Sequence, residues 1–351
     1  MSESSAAPTA ASADRLQSIP ADRRETARTA LKDVFGAASL AAVEPITSGA
    51  SGALIYRIEV GGRSYLLRLE DPRRDEVRDP RRTYRCMRIA AEAGVAPALH
   101  HADPVAGVAI IAFVPGRPLD DYPRGSEALA RDLGTLAARL QATAAFADVA
   151  DYPTIIERML GRLLGAGLFA GGLLDAHREG FERIREAYPW DSSALVSSHN
   201  DPHPGNILFD GERLWLIDWD TAYRNDPVLD VAIMTMFLAA SPVLQELLLR
   251  SWLGRPADRM VRARLVLMRQ LARLFYACAN GLFVAAAQPG APETDLAALT
   301  PAEYRAAVGQ GRLIPGAVAA QRAGCKVSLG TFLAGLSAPG FEEALAVVRQ
   351  G

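Results

Sequence analysis

The chain has 351 residues, half of them hydrophobic, and its 38 Lys and Arg against 40 Asp and Glu leave a formal charge of −2. That length and apolar content exclude a fibrous or natively disordered chain and suggest two domains or one two-lobed unit. The near balance of charge provides no basic field for nucleic acid, so a small or neutral partner is expected.

The first twenty residues are rich in Ala, Ser and Pro, lack the apolar stretch of a signal peptide, and read as a disordered tail over residues 1–20. From Pro45 the pattern becomes β-like: "ITSGASGALIYRIEV" and "SYLLRLE" flank a Gly-Gly turn, as in a hairpin. "TYRCMRIAAEAG" follows, with Tyr84, Met87 and Ala91 at helical spacing and Gly94 set to end the helix. "PALHHAD" and "GVAIIAFV" suggest a further strand pair. After a linker near residues 113–119, Ser126 is a plausible N-cap for a helix whose apolar face carries Leu129, Leu133, Leu136 and Leu140. Most of the remaining chain is helical in period, broken by the short strands "NILF" and "LWLIDWD", which "DGE" joins. Val261 to Ala287 is the longest apolar helix candidate, but its four arginines argue against a membrane span. "AAAQPGAPETDLAALTP" reads as a surface loop and the segment after it as short helices. The expected architecture is α+β and two-lobed: a small β-rich N-terminal lobe over residues 21–115 and a larger, mainly helical lobe over residues 116–351. Cys86, Cys278 and Cys325 are odd in number and scattered, which suits a reducing, cytoplasmic setting better than a disulfide framework.

The densest chemistry lies in "SHNDPHPGNILF". Turns favour Asp, Asn, Pro and Gly on their own account, but here Asp201, Asn206 and Asp218 stand at the edges of two short strands joined by a tight turn, so a hairpin would bring Asn206 and Asp218 together. A zinc hydrolase is a poor fit, because such sites need several imidazoles and no histidine follows His203. Phosphoryl transfer fits better. It needs a carboxylate to orient or deprotonate the acceptor hydroxyl and oxygen ligands for Mg²⁺, and an H-x-D-x-x-x-x-N loop followed by a strand ending in Asp is the order kinases use.

"HNDPHPGNIL" with "LIDWD" resembles the signature of the aminoglycoside phosphotransferase and choline kinase superfamily, a protein-kinase-like fold. The signature extends through "NDPVLDVA", and the order of the lobes carries the likeness over roughly residues 40 to 285. The resemblance implies ATP and Mg²⁺, with Asp201 as catalytic base, Asn206 and Asp218 as metal ligands, His199 holding the loop and Asp230 bracing it. In the N-terminal lobe, Ser48, Gly49, Ser51 and Gly52 of "TSGASGA" are small enough to let backbone N–H groups approach phosphate oxygens. Lys32 and Lys326 are the only lysines, so the cation expected on the nearby strand falls to Arg68, which can grip phosphate oxygens bidentately. Its acidic partner stays open, with Glu76 and Asp79 as candidates. "IIAFVPGRPL" resembles the segment joining the lobes, where Phe113 or Val114 would line an adenine pocket.

The resemblance implies a small-molecule hydroxyl compound as acceptor. "HND" and "IDWD" look closer to choline and ethanolamine kinases than to antibiotic kinases, and a quaternary ammonium is held by aromatic faces and nearby carboxylates. Trp219, Tyr223, Trp252 and Tyr276 are the aromatic candidates, with Phe275 also available, and Asp220 adds negative charge. An aminoglycoside or another sugar-like alcohol is the alternative acceptor, and a nucleotide-binding pseudokinase acting as an interaction module is the alternative of another class. The sixty or so residues after Pro289 could cap the acceptor cleft or make a homodimer contact. No nucleic-acid or membrane partner is expected.

Overall fold

The computed structural model describes residues 15–36, 40–46, 52–72 and 79–350. The chain divides into two compact units: residues 1–121 with 205–222, and residues 122–204 with 223–351. The polypeptide therefore crosses between units inside the signature segment, between Pro204 and Gly205, and returns after Ala222.

The first unit is built on a five-stranded antiparallel sheet, in the order β1 (Leu40–Ile46), β2 (Leu54–Val60), β3 (Arg63–Leu69), β5 (Val108–Ala112), β4 (Leu99–Asp103). The β2–β3 hairpin turns on Gly61 and Gly62, at φ of 57° and 74°. Two successive left-handed residues make the turn whose twist matches paired strands, and glycine adopts it without Cβ strain. Helix α1 (Arg24–Phe35) lays Ala27 and Ala30 into the core with Ile58, Leu67 and Ile110. Helix α2 (Pro80–Glu92) begins at Asp79, whose side chain accepts the Arg81 N–H at 3.0 Å, and is closed by Gly94 at φ 65°.

The reading of residues 1–20 as a disordered tail is corrected for its last part. Leu16 and Ile19 are 2% and 0% exposed within the same core, and Arg15 donates to the Leu40 carbonyl at 2.8 Å. A short apolar pair in a polar stretch shows no period, so only its burial reveals it. Residues 1–14 lie outside the described residues.

The same unit takes in a second hairpin, β7 (Ile207–Phe209) with β8 (Leu214–Leu216). Its turn is closed by Asp210, whose Oδ1 accepts from the Glu212 and Arg213 N–H groups, both at 2.8 Å.

The second unit is helical apart from a short pair, β6 (Val196–Ser198) with β9 (Tyr223–Asn225). Its helices are α3 (Gly125–Gln141), α4 (Tyr152–Gly165), α5 (Asp175–Ala187), α6 (Val228–Phe237), α7 (Pro242–Leu253), α8 (Arg259–Ala287), α9 (Pro301–Gly309), α10 (Val318–Leu336) and α11 (Pro339–Gln350). At 29 residues α8 is the axis of the unit, packed by α4, α6, α10 and α11. The C-terminal segment is not a set of short helices throughout, since α10 runs for 19 residues along α8. No single helix among the described residues is long and apolar enough to cross a membrane.

Candidate active site

The loop after β6 is held by a buried carboxylate. Asp230, in the first turn of α6, is fully buried, and its two oxygens accept the N–H groups of His199 and Asn200, each at 2.8 Å. Burial pushes its pKa up to about 6 against the opposing pull of those N–H groups. Asn200 sits at φ 67°, a conformation that Asn tolerates better than most side chains. Its Oδ1 accepts from the Asn225 side chain at 2.9 Å, locking the turn to β9. The Asn of "HND" is thus a backbone requirement. His199 is also fully buried, inside the loop's support.

That turn delivers Asp201, whose side chain keeps 23% exposure. The Tyr276 hydroxyl, from α8, donates to Asp201 Oδ1 at 2.5 Å. Burial first, and then the adjacent Asp201 charge, pushes the phenol pKa well above its ordinary value, so the hydroxyl stays protonated and remains a donor. His203 Nε2 lies 3.7 Å from the other Asp201 oxygen. The rings of Phe237 and Phe275 stand edge-on to Tyr276, at 5.6 and 5.9 Å between centroids. Phe237 is 41% exposed, a large apolar ring left at the surface.

In the other unit the β7–β8 hairpin gathers a second group of site residues. Ile207 pairs with Leu216, and beyond the ladder the Ile217 N–H donates to the Asn206 carbonyl at 3.0 Å. Asn206 and Asp218 therefore emerge at the same end, as the spacing of "NILF" and "LWLID" requires. Asp218 sits at φ 63°, which turns the chain sharply after β8. Asn206 is 7% exposed and the Asp218 side chain 38%. An amide and a carboxylate are hard oxygen donors that suit Mg²⁺, which takes few protein ligands and completes its shell with water and phosphate. Among the described residues there is no group of three or more His, Cys, Asp or Glu placed to hold a metal.

Arg68 in β3 faces this hairpin end and is 5% exposed. Its Nη2 lies 2.6 and 2.8 Å from the Asp220 oxygens, Glu70 accepts at 3.4 Å, and Asp218 Oδ1 is 3.8 Å from Nη1. Burial works to lower the guanidinium pKa, but attraction to Asp220, Glu70 and Asp218 outweighs it and the net shift is upward. The Arg82 guanidinium donates to the Asp220 carbonyl at 2.7 Å and fixes the backbone there.

The partner of Arg68, left between Glu76 and Asp79 by sequence, is Asp220 with Glu70. Asp79 caps α2, and Glu76 lies outside the described residues, as do Ser48, Gly49 and Ser51. Gly52 is in an exposed bend before β2. Phe113 and Val114 follow β5, both partly buried, with the Arg57 guanidinium over the Phe113 ring at 4.9 Å.

Several acceptor candidates are redirected. Asp220 is tied to Arg68. Trp219 is 1% exposed and Tyr223 6%, with its hydroxyl accepting from Asn225 at 3.1 Å. Trp252 donates its indole N–H to Gln141 at 2.8 Å. Core packing claims such rings more often than open clefts do. Of the aromatic set, Tyr276 donates to Asp201.

The sequence pattern of the Phosphotransferase enzyme family (APH) matches residues 42–274, two thirds of the chain, and spans both groups of site residues. The chain belongs to this family. Several solved structures share the fold. A choline/ethanolamine kinase family protein from Mesorhizobium loti superposes with a TM-score of 0.68 at 22% identity, over 94% of this chain and all of the other. The choline kinase LicA from Streptococcus pneumoniae gives 0.58 at 14% identity, over 89% and 100%. The macrolide 2'-phosphotransferase MphH from Brachybacterium faecium gives 0.52 at 21%, over 74% and 93%. An uncharacterized protein from Metamycoplasma hominis is 32% identical over 77 residues, which span 21% of this chain and 15% of that relative's length. Solved proteins that share this fold thus include ones named for choline and for macrolides.

Proposed function

We propose that this chain transfers the γ-phosphate of ATP, with Mg²⁺, to a hydroxyl of a choline-like amino alcohol. The observation that carries the reading is the state of Asp201: a partly exposed carboxylate at the tip of a loop whose backbone is pinned by a buried acid, and itself oriented by the Tyr276 hydroxyl. Such a group can accept a hydrogen bond from an acceptor hydroxyl and draw off its proton as the oxygen attacks phosphorus. Asn206 and Asp218 would hold Mg²⁺, which supplies charge neutralisation on the phosphates when bound. Arg68 serves the nucleotide end by holding Asp218 and Asp220 in place, and Asp230 and His199 keep the loop in shape. Phe113, Val114 and the small residues Ser48, Gly49, Ser51 and Gly52 are assigned to the nucleotide. Nucleotide use is supported by relatives solved with AMP and with ADP.

The amino-alcohol preference is supported by the rings around Tyr276. Tyr276 donates to the Asp201 carboxylate and is flanked by Phe237 and Phe275, and aromatic faces with a nearby carboxylate are the combination that attracts an ammonium group. The test is ADP release across a panel of amino alcohols, sugars and aminoglycosides. Turnover should be fastest with an amino alcohol, and Asp201→Ala should lower it by about 10²–10⁴-fold while Mg·ATP still binds. Undiminished turnover in that variant removes the base assignment, and an enzyme that turns over only sugars or aminoglycosides removes the acceptor assignment.

A further inference from the structure

The helical unit contains a second polar feature that phosphoryl transfer does not use. Arg269 and Arg273 stand four residues apart on α8 and so share one face of the helix. Both line a cavity of about 390 Å³, together with Val266, Gln270, Thr331 and Gly335. Residues after Pro289 thus build part of its wall, through α10.

Neither guanidinium is neutralised. Arg269 Nε donates to the Thr235 hydroxyl at 3.0 Å, while its Nη2 is buried and makes no hydrogen bond. Arg273 Nη1 donates to Gln270 Oε1 at 2.9 Å and to the Thr331 carbonyl at 3.3 Å. All of these acceptors are uncharged, and no carboxylate lies within ion-pair distance of either arginine among the described residues. Burial, and then the neighbouring Arg273 charge, push the Arg269 guanidinium down to about 10, which still leaves it protonated at neutral pH. The cavity therefore holds two partly buried positive charges that repel each other.

Other arginines of the same unit are treated differently. Arg264, five residues earlier on α8, is closed by Asp226 at 2.6 Å and by the Tyr188 hydroxyl at 3.1 Å. Among the described residues a counter-ion stands there and none at Arg269 and Arg273. The cavity wall is also built to a fixed shape. A Cβ on Gly335 would lie 2.1 Å from Gln270 Oε1, so a glycine is what lets α10 approach and confine that amide, which in turn aims Arg273. Two pre-aimed guanidinium groups, one with a buried N–H unused, match the geometry of a planar or tetrahedral oxyanion.

We propose that the Arg269–Arg273 cavity is a binding site for a small oxyanion, a carboxylate or phosphate group. Two sources share that chemistry: an acid group on the acceptor itself, or a separate anion. The first is open because Tyr276, which donates to Asp201, follows Arg273 by three residues on the same face of α8.

The experiment titrates the full chain with inorganic phosphate and with malonate, followed by thermal unfolding and calorimetry, with chloride at matched ionic strength as control. Millimolar phosphate or malonate should raise the Tm of the wild type. Arg269→Gln and Arg273→Gln should each weaken that binding about tenfold or more, as expected for loss of a charge-assisted hydrogen bond. Arg269→Met guards against a folding artefact: without ligand it should unfold no earlier than the wild type, because it removes a buried repulsive charge, and yet it should lose the anion response. If the anion raises the acceptor KM and leaves kcat unchanged, it occupies the place of an acid group on the acceptor; if the acceptor KM does not move, the anion is a separate ligand. Binding is read without turnover, so it stands or falls independently of the phosphotransferase reading. A wild type that responds to phosphate and malonate no more than to chloride overturns the site, as do variants that respond like the wild type.

Discussion

Arg68 and Arg269 are two arginines with buried guanidinium nitrogens, each in its own unit, and their surroundings are opposite. Arg68 faces three carboxylates and its guanidinium pKa is driven upward despite burial. Arg269 is pushed down by burial first and then by the neighbouring Arg273 charge. The first is complete as folded, and the second is a charge for which the described residues contain no counterpart. A buried arginine cannot escape by losing its proton, so the difference must be met by a ligand, by solvent or by a cost in stability. Asp230 is an intermediate case, a buried anion satisfied by two backbone N–H groups and no cation.

The contrast can be broken most severely at Arg68. Arg68→Met leaves Glu70, Asp218 and Asp220 facing one another and should cost about 3–5 kcal/mol in urea unfolding, with a raised KM for ATP in whatever protein remains folded. A neutral result would mean that the three carboxylates do not need the cation. Asp230→Asn should come next, at about 1–3 kcal/mol, because the amide can accept from only one of the His199 and Asn200 N–H groups without presenting a donor to the other. Its pH dependence has a definite sign. The folded pKa is raised from 3.8 to about 6, so the stability this group contributes is full below about 3.8 and is lost as the pH rises through about 6. Between about pH 4 and pH 7 the wild type should lose no more than about 3 kcal/mol from this source, and the variant should lack that slope. Tyr276→Phe is a smaller perturbation, removing one hydrogen bond to Asp201; kcat should fall about tenfold with KM for ATP unchanged. The smallest effect, and of opposite sign to Arg68→Met, is expected for Arg269→Met, a gain of up to about 1 kcal/mol without ligand. If the same replacement destabilises both sites equally, the distinction between them is lost.

Much of this was legible in the sequence because it depends on neighbours along the chain. The β2–β3 hairpin follows from two glycines between alternating apolar runs, the end of α2 from Gly94, and α8 from apolar spacing. The meeting of Asn206 with Asp218 follows from two three-residue strands and a tight turn. The aromatic candidates were harder, since a tryptophan in sequence does not declare which way it faces. Trp219 proved to be core, while Phe237, unremarked beside it in composition, keeps a surface next to Tyr276. Leu16 and Ile19 are hidden in sequence for the same reason: two apolar residues carry no period, and their burial is decided by a sheet that begins at Leu40.

By itself the sequence determined the α+β two-lobed class, the family and the order of the acidic and amide residues in the signature, because turn chemistry and side-chain period act over a few residues. Only the tertiary structure decided who neutralises whom. Arg68 meets Asp220 across 152 positions of chain and Asp201 meets Tyr276 across 75, and no local pattern encodes such pairs, since charge attraction at a few ångströms depends on how the elements pack and not on their spacing along the chain. The same dependence left Arg269 and Arg273 together with no acid among the described residues, a fact invisible in a chain whose total charges nearly cancel.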